Sequence, residues 1–253
     1  MNKFFRNIRK KLAAENKVMA YSRYAIGEII LVVIGILIAL QINNWNEENK
    51  TSRLETKILK ELLNNLDQDL KEIQDDIYYM DEINLACSTI RDYLKTYSKP
   101  PDTIYKIASI LRVTPHFDPN TSGYGLLQSK GVEIISNDSL RNSVSLLYER
   151  AYPYYKRYEE ERLRFHALHS EPKLLEYFNM QFGLDLANKF YGSFYISEED
   201  FKKLQSDTTF DKLLSAIAFE NSGVQNRAKR TETIIINLME FLKDELEIKT
   251  SAL

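Results

Sequence analysis

Cysteine, glycine and proline are all scarce in this chain: 1, 8 and 6 among 253 residues. A single cysteine, Cys87, excludes an intrachain disulfide framework. That argues against a eukaryotic secreted domain and is compatible with a bacterial periplasm. So few glycines and prolines argue against a many-turned β protein and for long helices. Charge of one sign is also lacking. A formal net charge of -2 gives no reason to expect nucleic acid as a partner. No internal repeat or low-complexity tract is present. No nucleophile elbow, Ser/His/Asp spacing or paired-carboxylate motif stands out. Triads assemble from distant residues, so this last absence counts only in part.

The one long hydrophobic run organises the rest. Residues 25–42, AIGEIILVVIGILIALQI, carry only Glu28 and Gln41 as strongly polar members. At about 1.5 Å per residue this segment is roughly 27 Å long, close to the hydrocarbon thickness of a bilayer. It predicts one membrane-spanning helix. The preceding residues 1–24 are basic, with Phe4, Phe5, Ile8 and Leu12 at helical spacing. They read either as an amphipathic helix on an anionic leaflet or as a solvated tail that sets orientation. The cation excess on that side predicts a cytoplasmic amino terminus, with the large domain outside. A signal peptide would share the basic start and apolar core. The length of the run, the lack of a clean Ala-x-Ala site and the helical pattern beyond it favour an uncleaved anchor. Tyr21, Tyr24 and Trp45 fit interfacial aromatic positions. Glu28 is either a helix–helix contact or a side chain reaching the headgroups beside Arg23. Gly35 and Ala39 form a small-xxx-small pair that would let helices approach.

Residues 24–47, YAIGEIILVVIGILIALQINNWNE, follow the basic FFRNIRKKLAAENK. Together they resemble the signature of an uncharacterised family of single-pass membrane proteins from Bacteroidota bacteria. A looser likeness runs through residues 121–149, TSGYGLLQSKGVEIISNDSLRNSVSLLYE. The resemblance implies an inner-membrane anchor with a helical periplasmic domain. It carries over no reaction and no active site.

Residues 43–253 read as that helical domain. Leu59, Leu62, Leu66, Leu70, Ile73, Ile77 and Met80, then Ile83, Cys87, Ile90, Leu94 and Tyr97, recur at three- and four-residue intervals. They predict one long helix from the membrane segment to Ser98, kinked at most at Asn43-Asn44 and stopped by Pro100-Pro101. Asp69 and Glu72 are assigned to its polar cover. Short helices are expected over 103–112 and 121–130, the second stopped at Gly131, with a turn or small β piece at 133–136. A long helix capped by Asn137 or Asp138 should run to about His169 with a kink at Pro153. Another should start at Glu171-Pro172 and reach about Phe182. A break with a short helix at 185–190 comes next, then a helix start at Ser197. A final helix over 207–247, with a local bend at Gly223, should pack antiparallel to the first. The predicted fold class is all-α: a single transmembrane helix continuing into an elongated periplasmic helical bundle.

Candidate chemistry is thin. His166 and His169 are spaced for a shared metal, yet no further ligand pattern accompanies them. His116 lies in a predicted loop without a partner. Glu159-Glu160-Glu161 reads as a solvated face. Ser122-Gly123-Tyr124-Gly125 is not a phosphate loop, since no Gly-Lys-Ser/Thr follows it. Tyr148, Tyr152 and Tyr155 share one helix face and could line a ligand slot, a partner contact or simply the core. No catalytic residue, cofactor or metal is expected. The expected partners are the lipid bilayer and either a protein partner or a second copy. Three readings follow: a non-enzymatic accessory or interaction subunit of an envelope complex; a periplasmic small-molecule sensor using the tyrosines; and a homo-oligomeric channel using Glu28, Gly35 and Ala39.

Overall fold

A computed structural model describes residues 18–184 and 190–251. The tail expected over 1–17, the side chains of Tyr21, Arg23 and Tyr24, and the greater part of the helix expected at 185–190 lie outside the described residues. The chain divides into two compact units, residues 1–55 and 56–253.

Helix α1, Val18–Thr96, begins in the first unit, and its helical bonding passes Asn43 and Asn44 without a break. From Ile26 to Ile42 every large apolar side chain is 46–66% exposed. This is a helix long and apolar enough to cross a membrane by length and composition. Beyond it, Lys50 pairs with Glu47 at 2.8 Å.

The second unit is helical with one small hairpin. It holds the remainder of α1, then α2 (Ile104–Ile110), α3 (Ser122–Lys130) and a 3₁₀ turn at Val132–Ile134. Gly131, with φ of 95°, closes α3 in the conformation only glycine adopts freely. Next come α4 (Asp138–Ser145), a wide π turn at Leu146–Ala151, α5 (Tyr152–Phe165), a second π turn at His166–Ser170, and α6 (Glu171–Leu175). These five pieces form one uninterrupted helical run. Asn137 starts it, its side chain accepting from the amides of Ser139 and Leu140.

Each wide turn ends two residues before a proline, Pro153 or Pro172. A proline offers no N–H to the carbonyl four residues back and crowds it. Widening the preceding turn accommodates that misfit. The helix expected to begin at Glu171-Pro172 is therefore the continuation of the one before it.

That run stops at Leu175, not near Phe182. Strands β1 (Asn179–Leu184) and β2 (Phe190–Tyr195) pair antiparallel, in register from Asn179 opposite Tyr195 to Leu184 opposite Phe190. Phe194 and Ile196 are buried while Tyr195 is exposed, the period of two that a strand imposes. Helix α7 (Glu198–Ser206) is capped by Ser197, whose Oγ accepts from the amide of Asp200. Helix α8 (Thr208–Ser251) passes Gly223 without interruption.

Cross-links between α1 and α8 fix their direction. Arg91 meets Asp211 (2.5 Å), Asn84 meets Asn221 (3.0 Å), Asp81 meets Gln225 (2.6 Å) and Gln74 meets Glu232 (2.9 Å). Falling numbers on one helix against rising numbers on the other make the pair antiparallel, as expected. The apolar stripe of α1 is buried at Leu59, Leu62, Leu66, Ile73, Met80, Ile83 and Ile90. Tyr97 is an exception, 45% exposed. Cys87 is buried, and burial pushes its thiol up to about 11.

Candidate functional site

Residues 113–120 connect α2 to α3 with no regular structure of their own. Their amides therefore need other acceptors. Side chains of α1 and α5 supply them. Phe117 N–H donates to Glu159 Oε1 (3.0 Å), Asp118 N–H to Glu72 Oε1 (3.2 Å) and Asn120 N–H to Asp69 Oδ1 (2.9 Å). Just beyond, Gly123 N–H donates to Asn65 Oδ1 at 2.9 Å. Gly123 is needed there: a Cβ would meet Asn65 Oδ1 at 2.9 Å and the Leu62 amide nitrogen at 3.0 Å.

The polar side of this arrangement was not anticipated. Asn65, Asp69, Glu72 and Asp76 repeat at four- and three-residue steps along α1, beside the apolar stripe. Asp69, assigned from sequence to the solvated cover, is 1% exposed, and Asp76 is 8% exposed. Glu159, assigned to a solvated acidic face, is also buried. Glu160 and Glu161 are exposed, as that assignment expects.

The three singled-out tyrosines do share a face, and that face points inward. Tyr148, Tyr152 and Tyr155 are all buried, Tyr155 completely. Tyr152 Oη donates to Asp69 Oδ2 at 2.6 Å. Tyr148 stacks on Tyr124, with centroids 4.5 Å apart and planes 3° from parallel, and meets Tyr152 edge-on at 5.2 Å. Phe117 lies 5.3 Å from Tyr152 and 5.8 Å from Tyr155. Tyr148 and Tyr152, with Phe117, Tyr124 and Lys156, line a cavity of about 330 Å³. Tyr155 does not line it; it borders a different groove with Arg150 and Arg227. Beside Glu159 lies a further cavity of about 380 Å³, lined also by His116, Lys156 and Arg162.

Burial dominates the electrostatics. It lifts the carboxyls of Asp76 and Glu159 to about 7, reinforced at Asp76 by Glu72 and opposed at Glu159 by the Phe117 amide. Asp69 is also raised by burial, against its bonds to Tyr152 and Asn120. The hydroxyls of Tyr148, Tyr152 and Tyr155 are all pushed up, first by burial and then by neighbouring carboxylates. Asp76 Oδ2 and Tyr148 Oη are buried without hydrogen-bond partners. Glu159 and Asp76 act on each other and on Tyr155 electrostatically. The cluster can hold a proton near neutrality.

The histidines separate. His166 is buried, its Nε2 3.0 Å from Glu171 Oε2, and burial lowers its basicity. Glu171 also pairs with Arg112. His169 is exposed and packs on Phe165 at 5.3 Å. Among the described residues, no group of three or more His, Cys, Asp and Glu side chains is arranged to hold a metal ion. In the first unit, Glu28, Gly35 and Ala39 lie seven and eleven residues apart, close to two and three helical turns, and so share one face of α1. Gly35 has nothing within 4 Å of where a Cβ would stand.

Fold and site together define a helical-bundle protein with an exposed apolar helix at one end of its sequence and a buried tyrosine–carboxyl cluster in its core. The chain belongs to the DUF6090 family, a family of unknown function, which it matches over residues 28–222. No curated protein and no solved structure matches it.

Proposed function

We propose that this protein is a non-enzymatic, single-pass inner-membrane protein whose helical domain lies in the periplasm and serves as an interaction or accessory subunit of an envelope complex. The observation that carries the anchor is the run from Ile26 to Ile42, whose large apolar side chains are all 46–66% exposed. In water that surface is costly, at roughly 25 cal/mol per Å² of apolar area; a bilayer removes the cost. The bundle supports the interaction role because Asn65, Asp69, Glu72 and Glu159 are engaged in holding the backbone of residues 117–123. The test has two arms. Full-length protein should stay with membranes after alkaline washing, with a reporter behind Leu253 active only outside the cytoplasm. Gentle solubilisation should then recover a partner at fixed stoichiometry. A cytosolic reporter, or recovery of the chain alone, rejects this reading.

A second reading is a small-molecule sensor that signals through that partner. The cavity of about 330 Å³ beside Tyr148 and Tyr152 favours it, since the buried Tyr148 hydroxyl has no partner there. A ligand supplying that bond should raise the melting temperature of the full-length protein. No rise with any fraction of a cell-envelope metabolite extract rejects it.

A further inference from the structure

We propose that the groove between α5 and α8 binds a phosphate-class oxyanion carried on a small apolar group. This site is separate from the Tyr148–Tyr152 cavity and independent of the readings above. Three arginines line the groove, Arg150, Arg227 and Arg230, and Leu146, Tyr154 and Ile234 form its apolar surface; its volume is about 160 Å³. No carboxylate is among its lining residues.

Several cations elsewhere on the second unit have carboxylate partners. Arg91 is paired with Asp211, Arg112 with Glu171, Arg141 with Asp138, and Lys203 with both Glu199 and Asp200. Among the described residues, Arg150 and Arg230 form no ion pair. Arg227 packs against two neighbouring rings, its guanidinium 4.9 Å from the Tyr154 centroid and 4.8 Å from that of Tyr158. Its Nη2 donates to Tyr158 Oη at 3.3 Å, and its Nε is buried with no partner.

Three like charges around one slot repel one another, and an anion with two negative charges relieves the repulsion. Guanidinium forks match phosphoryl oxygens in pairs. The two ring contacts and the bond to Tyr158 Oη restrict Arg227, which reduces the ordering left to be done on binding. The apolar surface accepts a ring or short chain attached to the phosphate. A free phosphomonoester and a lipid headgroup share this chemistry.

The test uses full-length protein in dodecyl maltoside at constant ionic strength. Phenyl phosphate is the free probe; phosphatidic acid doped into the micelles, with phosphatidylcholine as control, is the lipid probe. A saturable rise in melting temperature with phenyl phosphate identifies a free phosphoester. A rise with phosphatidic acid alone identifies a headgroup. Arg150→Gln and Arg230→Gln, both at exposed positions, should each weaken binding about tenfold, the usual effect of one charge-assisted contact. Arg164→Gln, exposed elsewhere on α5, should leave affinity unchanged. No shift with either probe overturns the proposal. So does equal weakening by Arg164→Gln, which would mean that surface charge in general, and not the groove, attracts the anion.

Discussion

Glu159 and Asp76 are buried carboxyls whose protonation bears on the stability of the fold. Each folded carboxyl titrates near 7, whereas an unfolded acid titrates near 4. The folded state therefore holds these protons more tightly. Their favourable contribution is complete below the unfolded value and is lost as pH rises through about 7. Stability should fall between roughly pH 4 and pH 8 on their account. Glu159→Gln keeps an acceptor for the Phe117 amide and removes the charge. It should raise Tm at pH 8 by at least about 3 °C, given 2–4 °C per kcal/mol at this size, and flatten the pH profile. Thermal melts from pH 5 to 8 check this; an unchanged slope defeats it. Gly123→Ala acts by packing. The added methyl meets backbone of α1 and should cost about 1–3 kcal/mol in denaturant unfolding, the usual penalty of overpacking.

The elements divide by how local their causes are. The cap at Asn137, the left-handed stop at Gly131 and the cap at Ser197 are each written within four residues, and each is legible in the sequence. Asn137→Ala removes two accepted amide bonds and the bond from its Nδ2 to Glu245. It should destabilise the protein by about 1–2 kcal/mol, measured as a shift in urea midpoint at unchanged slope. The β1–β2 hairpin is the opposite case. Its sequence, rich in phenylalanine and tyrosine, has strand character, but glycines interrupt it. What makes residue 194 a strand position is Phe178, 5.5 Å away from the Phe194 ring, together with the Arg112 guanidinium 5.6 Å above it. The two wide turns are intermediate: the prolines announce trouble, and the helical run around them decides that the trouble is absorbed without a break.

At the scale of the whole molecule, the prediction concerns the apolar run of α1. Ile34→Lys with Leu37→Lys adds two charges near its centre, each costing roughly 2.5–3.5 kcal/mol on insertion. The double variant should disappear from the alkaline-washed membrane fraction, followed by immunoblot against a carboxyl-terminal tag. Retention equal to the parent would contradict a lipid-embedded role for residues 25–42. The all-α class, the long first and last helices and their antiparallel pairing were all readable, because a stripe at three- and four-residue spacing needs only local sequence to be recognised. The acids were not. On a helix diagram Asp69 and Asp76 border the stripe and look solvated. Asp69 is buried where Asn120, some fifty residues later, brings an amide and Tyr152 a hydroxyl to its carboxylate.

The chain by itself therefore determined the long first and last helices, the caps at Asn137 and Ser197, the stop at Gly131 and which run of residues avoids water, since these follow from spacing, capping and hydropathy within a few turns. Tertiary structure alone decided which polar groups left water, because burial depends on what distant segments place on top. That is why the tyrosine face became a core with a proton-holding carboxyl pair, and why Arg150 came to line one groove with Arg227 and Arg230, about eighty residues later.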